Sequence, residues 1–490
     1  MKILKLDSGV ATNSIMLMAV QIVTTVLGLI VTKLLSVHFS LTEYGTYSQA
    51  LLVTTTATSI SILGLTNATN YFYNRTEKED IQKKYVATIF TIQYIVGLIS
   101  AIMIILLRKL ISGYFANTRL QNILLIVAFS PIMSNLIAMY QTLFVSIGEA
   151  KKIAVRNFLV SVGKLIAVLF ACFIVNNIIV VLIIMFLFDV IQVIYFLLMF
   201  KKDKYCISIK DTDFLIIKEI LIFSIPMAIY VLTNSLSRDI DKYIISAFAN
   251  TETLAIYTNA AKILPFDMLT TSLITVLIPI ITRFINKKNF NEAKKIFELY
   301  LRIGYILTFI FVGGAIAVAN YLMLFLYDEK YMSGLPVFII YLIIDMIRFA
   351  NVTTILSGAG KSKILMVISV ITLGANGIFN VLGYKLLGLI GPAVVTLIFT
   401  ILMTIALLHF GAKEIETNII NLFKFKEMVI IGFQIIIFGT ITHYIANFLS
   451  SGSLPLFFVL AISYGLYLLI LLGLNYKRII GCLKKLNTYK

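Results

Sequence analysis

The sequence contains no tryptophan, only three cysteines and three histidines, and few charges. Charged residues make up 13% of the 490 positions against 60% hydrophobic, with a mean hydropathy of +0.98. An ordinary soluble domain, whose apolar fraction runs nearer half, is therefore excluded. Cys172, Cys206 and Cys482 have neither metal-ligand spacing nor an even number, which excludes a disulfide framework. His38, His409 and His443 fall at the ends of apolar runs without ligand spacing, and neither a nucleophile–base arrangement nor a phosphate loop is visible. Enzymatic chemistry and a cofactor are not expected. Strand periodicity is also missing, so the expected fold is an all-α polytopic membrane protein. Without tryptophan the membrane–water belts must rest on tyrosine, and Tyr44, Tyr114, Tyr327 and Tyr331 lie near predicted outer ends of spans.

What the chain does contain is about fourteen apolar runs near 20 residues long, each closed by a short polar break. Six begin around Ser14, Thr46, Tyr85, Gln121, Ile153 and Ile178. Six more begin around Lys218, Glu252, Leu299, Ser333, Ile364 and Gly388, and a final pair follows the polar linker Ala412–Lys426. The expected divisions are residues 1–211, 212–411 and 412–490. The first run follows a polar start, MKILKLDSGVATNS, and is long enough to be retained as a span. Lys and Arg recur on alternate breaks, as in Lys83–Lys84, Lys151–Lys152, Lys201–Lys202, Lys287–Lys288 and Lys484–Lys485, which predicts that both termini are cytoplasmic. That bias, together with anionic lipid headgroups as partners, accounts for the net charge of +18 without nucleic acid. Between the eighth and ninth runs, NKKNFNEAKKIFELYLR places Phe290, Ala293, Phe297 and Tyr300 at helical spacing and predicts a cytoplasmic helix lying in the interface.

Charges inside the apolar runs are the candidate functional residues, because each costs roughly 2.5–3.5 kcal/mol on insertion scales and must face a partner or a wet cavity. Lys164 and Asp189 each lie about eleven residues into neighbouring antiparallel runs, hence at the same depth, near ~16 Å by helical rise. Either they form a structural ion pair or Lys164 faces a central cavity. Arg238, Asp239, Asp241 and Lys242 fall in the outer part of the seventh run, Lys262 near mid-depth in the eighth, and Asp345 with Arg348 on one face of the tenth. Asp241 is expected to orient Lys242 or Arg238. Asn135, Gln141, Asn351, Asn376 and Asn380 are buried amides suited either to sugar hydroxyls or to helix–helix hydrogen bonds.

The chain also repeats itself. Thr42–Ala50 (TEYGTYSQA) aligns with Glu252–Ala260 (ETLAIYTNA) at an offset of 210, and Ser146–Lys152 (SIGEAKK) with Gly358–Ile364 (GAGKSKI) at 212. Two matches at nearly one offset, in equivalent places of a six-span pattern, indicate a duplicated unit. Six is even, so both copies enter the membrane from the same face and substrate is expected between them.

Twelve core spans in two sets of six plus a terminal pair, LTEYGTYSQA after the first span, SLSRDIDKYIIS ending the seventh with AIYTNAAKILP after it, and the G-x-x-K turns together resemble the Wzx-type polysaccharide and O-antigen flippases of the multidrug/oligosaccharidyl-lipid/polysaccharide (MOP) exporter superfamily. The resemblance implies a MATE-like two-lobed fold that moves an undecaprenyl-pyrophosphate-linked oligosaccharide across the bacterial inner membrane by alternating access. Polysaccharide polymerase and chain-length machinery are implied as partners. Under it Arg238, Lys262, Arg348 and Lys164 become candidates for the pyrophosphate, and Asp189, Asp241, Asp267 and Asp345 for ion coupling or charge pairing. Two other readings stand beside it. A drug or small-cation exporter of the superfamily usually carries an acid in the first span, which Ser14–Leu35 lacks, and a membrane glycosyltransferase or polymerase needs a larger outside loop than the short breaks provide.

Overall fold

The computed structural model describes residues 8–75, 78–202, 211–350, 353–452 and 454–487. Among them are twenty α-helices and no strand: α1 (Ser8–His38), α2 (Leu41–Ser61), α3 (Leu65–Asn74), α4 (Glu79–Tyr114), α5 (Thr118–Val127), α6 (Ser130–Ser146), α7 (Ala150–Phe170), α8 (Ile178–Lys202), α9 (Ile217–Phe248), α10 (Thr251–Ala260), α11 (Met268–Asn286), α12 (Phe290–Ala317), α13 (Ala319–Tyr327), α14 (Leu335–Arg348), α15 (Thr354–Gly358), α16 (Ser362–Leu387), α17 (Ile390–Glu414), α18 (Ile419–Leu422), α19 (Phe425–Ser451) and α20 (Leu456–Asn487). Thirteen segments among the described residues are long and apolar enough to cross a membrane. The remaining expected span, the eighth, is present as α10 and α11 with a break between them.

That break has a local cause. Pro265 cannot continue a helix and disfavours helical geometry at the residue before it, so the chain leaves the helix after Ala260 and resumes through a short 3-10 turn, Pro265–Asp267. Three other spans are interrupted. The second breaks between α2 and α3, where Leu63 and Gly64 both take positive φ and a Cβ on Gly64 would lie 2.5 Å from the Ser224 carbonyl oxygen. The fourth breaks between α5 and α6, with Pro131 in the first turn of α6. The tenth stops after Arg348 and resumes at α15. The interrupted spans are thus the second and fourth of each set of six, which is the duplication seen in the sequence carried into backbone geometry.

The chain forms two compact units, one comprising the described residues up to Asp239 with Ser246–Ala255, the other Ile240–Ile245 with the residues from Ile256 onward. The first unit is built on a core of Leu65, Phe72, Phe90, Leu136, Tyr140 and Phe196. The starts of the two aligned motifs meet within it: Thr42 Oγ1 donates to Glu252 Oε1 at 2.8 Å, and these residues are equivalent at the offset of 210. Gly45 makes that approach possible, since a Cβ there would lie 2.2 Å from the carbonyl oxygen of Thr251. In the second unit α12 is the central element, packed by α11, α14, α19 and α20.

Two sequence expectations are corrected here. The interfacial helix between the eighth and ninth spans is the first part of the unbroken α12, and Ala293, Phe297 and Tyr300 are buried in the core of the second unit. An apolar stripe on a basic helix serves equally to lie on lipid or to pack on protein, and protein takes it here. Likewise, of the four tyrosines expected in the belts only Tyr114 is exposed. Tyr44, Tyr327 and Tyr331 are buried, the last two with ring centroids 6.2 Å apart.

Candidate functional site

Lys262 lies in the break of the eighth span, between Ala260 and Pro265. Unwinding a helix there frees backbone groups that hydrocarbon cannot satisfy, so they need partners from neighbouring helices. Asp345 supplies one: from α14 its Oδ2 accepts the backbone N–H of Leu264 at 3.0 Å while the residue is 1% exposed. The first unit holds its own break similarly. Asn135, on α6, donates through Nδ2 to the Thr58 carbonyl at 3.3 Å and to Ser61 Oγ at 2.8 Å. Positions 135 and 345 differ by 210, the offset of the aligned motifs, so one structural role is filled by an amide in one copy and by a carboxylate in the other. Asn135 is thereby a helix-packing amide.

Lys262 is partly buried, and its charged neighbour is Lys242. Arg348 closes α14 one turn after Asp345, at the start of the tenth-span break. Of the three cations expected to line a path, Lys262 and Arg348 therefore stand at two helix interruptions of the second unit. Arg238 sits exposed on α9 in the first unit. The side chain of Asp267, and Asn351 altogether, lie outside the described residues.

Asp241 is buried in a cage that spacing did not reveal. Its Oδ2 accepts from the phenol of Tyr257 at 2.8 Å and from that of Tyr341, and its Oδ1 from the backbone N–H of Lys242 at 2.8 Å. The cage ties α9, α10 and α14 together around it. Tyr257 is the aromatic of the second repeat motif, and that was the available clue.

In the first unit Lys164 and Asp189 do meet. Lys164 Nζ donates to Asp189 Oδ1 at 2.9 Å, with side chains 27% and 18% exposed. The pair belongs to a longer network: Gln192 Nε2 donates to the same Oδ1 at 3.1 Å, and Gln192 Oε1 accepts from Arg156 at 3.0 Å. Arg156 bonds Asn157 as well, and its guanidinium stands 4.6 Å from the Phe196 ring centroid. Arg156 was hidden by the nearby Lys151–Lys152 pair, which reads as an ordinary span end.

A second network, also unforeseen, ties the terminal pair to α12. Glu427, in the first turn of α19, accepts from Arg302 Nε at 2.6 Å and from the Tyr305 phenol at 2.6 Å, with Arg478 of α20 3.4 Å away. Sequence separations of 122 to 125 residues conceal such contacts. Among the described residues no cluster of His, Cys, Asp or Glu could hold a metal ion.

Interrupted helices thus recur at equivalent places in the two sets of six spans, clamped by a buried amide, Asn135, in one and a buried carboxylate, Asp345, in the other. The fold is similar to that of solved transporters. It matches "Lipid II flippase MurJ, inward closed conformation" with a TM-score of 0.75 over 95% of this chain and 100% of that one at 17% identity. A MATE transporter in complex with MaL6 gives 0.60 at 14% identity, over 83% of this chain and 96% of that chain. A MOP superfamily transporter from Pyrococcus furiosus gives 0.63 at 14% identity, over 83% and 95%. A profile of the family described as "Polysaccharide biosynthesis protein" matches residues 10–285, more than half of the chain, and the protein belongs to that family. No curated relative matches it.

Proposed function

We propose that this protein is a flippase that carries an undecaprenyl-pyrophosphate-linked oligosaccharide across the bacterial inner membrane by alternating access, for O-antigen or another surface polysaccharide, with both termini cytoplasmic. Membership of a family described as polysaccharide biosynthesis proteins supports a glycan-bearing substrate. The observation that carries the reading further is the placement of Lys262 and Arg348 at the interruptions of the eighth and tenth spans. A pyrophosphate crossing hydrocarbon without countercharge faces a Born penalty of tens of kcal/mol, and separated cations along the path remove that barrier without making one deep trap. Lys262, Arg348 and Arg238 are the residues proposed to hand the pyrophosphate across. Asp189, Asp241, Asp267 and Asp345 are the candidate couplers or charge partners, Asp189 of Lys164. A cation exporter fits less well, because the first span, Val20–His38, contains no acid.

The test is flux of a fluorescent undecaprenyl-pyrophosphate-linked glycan in proteoliposomes. Lys262→Ala and Arg238→Ala should each abolish flux at unchanged protein level, and Lys262→Arg should keep part of it. Full flux by a well-expressed Lys262→Ala, Arg238→Ala double variant would refute the proposal, and ethidium export in place of glycan flux would favour the drug-exporter reading.

A further inference from the structure

At the end of the second unit where α12 and α19 begin and α20 ends, a cleft of about 340 Å³ is lined by Lys295, Glu298, Arg302, Asn421, Lys424 and Lys485. Its charge does not cancel. Glu298 is engaged by Lys294 at 3.7 Å, Glu292 by Lys295 at 2.7 Å, and Glu427 by Arg302 and Arg478. Among the lining residues Lys295, Arg302, Lys424 and Lys485 outnumber the single carboxylate, Glu298. Lys424, at the N-cap of α19, has no ion pair among the described residues. The cleft is therefore shaped and charged to hold a small anion.

The surface beside it specifies what carries that anion. Ile420 on α18 is 70% exposed. One residue beyond Lys424, α19 begins an apolar series of Phe425, Val429, Phe433 and Ile436, every one more than half exposed. From Phe425 to Ile436 the helix rises about 16 Å, close to half of a ~30 Å hydrocarbon core. A free phosphate would have no use for that stripe. A phospholipid would use both parts, its headgroup in the cationic cleft and its acyl chains along one leaflet's depth of α19.

We propose that this cleft binds the phosphodiester headgroup of an anionic phospholipid, which pins the α19–α20 pair to α12 at the membrane surface. The site is separate from the Lys262–Arg348 path, and its existence does not depend on the transport reading.

The test is native mass spectrometry of the full-length protein taken from nanodiscs of equal phosphatidylglycerol and phosphatidylcholine. The intact protein should retain phosphatidylglycerol selectively. At roughly 1 kcal/mol per basic residue near a lipid surface, the Lys424→Gln, Lys485→Gln double variant should lose about thirty-fold in phosphatidylglycerol affinity. Lys424→Arg, Lys485→Arg should keep it, showing that charge and not fold is being read. Lys413→Gln, in a neighbouring cleft that shares only Asn421 with this one, should also keep it. Equal retention of the two lipids, wild-type affinity in the double glutamine variant, or an equal loss in Lys413→Gln would overturn the assignment. Displacement by millimolar inorganic phosphate would make it a free-phosphate site, and preferential displacement by undecaprenyl pyrophosphate would make it a substrate entrance. Either result also overturns the proposal.

Discussion

Lys164 and Asp189 offer the sharpest test of how this protein tolerates charge inside its spans. Removing one partner leaves the other charge in low dielectric, which costs about 3–5 kcal/mol for a fully buried pair. With side chains only 27% and 18% exposed and both well inside their spans, about 3–5 kcal/mol is the expected loss for either single alanine. The two losses differ in detail. After Lys164→Ala, Asp189 retains the Gln192 amide, whereas after Asp189→Ala the Lys164 ammonium loses its 2.9 Å partner and must reach toward the membrane surface along its aliphatic stem. Gln192 is not orphaned, because its Nε2 also donates to the Phe188 carbonyl at 3.1 Å. Removing both charges strands neither, so the double variant should recover about 1–3 kcal/mol relative to the summed singles. The chain lacks tryptophan, but Cys172 and Cys482 are buried, one in each unit. A Cys206→Ser, Cys482→Ser background therefore leaves Cys172, just after α7, to report unfolding of the first unit by thiol-reactive fluorophore in detergent. At about 2–4 °C per kcal/mol for a unit of this size, each single should melt several degrees early and the double should lie above their sum. A double variant that melts at the additive value would refute the pairing and return Lys164 to the candidate substrate ligands.

Asp241→Asn should destabilise by about 1.5–3 kcal/mol, because it weakens the charged acceptor shared by the phenols of Tyr257 and Tyr341, while Tyr257→Phe and Tyr341→Phe should each cost less; equal losses in all three, by thermal melting on Cys482, would contradict the cage. Gly45→Ala should cost about 1–3 kcal/mol by forcing α2 from the backbone at Thr251, whereas alanine at the unhindered Gly28 should be neutral or stabilising; a wild-type melt for Gly45→Ala would mean that α2 and α10 do not pack closely there.

Resemblance and repeat together made much of the architecture legible. Lys164 could be matched to Asp189 because two antiparallel spans of known rise put them at one depth, whereas the interruption of the eighth span was not expected, although Pro265 imposes it by a steric rule that needs no tertiary contact. The partners of Asp241 and Glu427 were not legible, because a phenol or guanidinium reaching across 16 to 125 residues leaves no local periodicity. The amphipathic start of α12 and the belt tyrosines failed for a related reason. An apolar face shows that something covers it, and neither spacing nor composition distinguishes lipid from protein as the cover.

The sequence by itself determined that the chain crosses a membrane many times, that its backbone is helical there, and that it consists of two related sets of six spans followed by a pair. Those properties are sums over about twenty consecutive residues in a solvent that demands internally satisfied backbone, so they require no knowledge of neighbours. Only the tertiary structure decided which intramembrane charges neutralise one another, which carboxylate clamps the break beside Lys262, and that the terminal pair is locked to α12 through Glu427. Those outcomes turn on contacts of a few ångströms between helices remote in sequence, where the cost of an unpaired charge is large and its partner is chosen by packing.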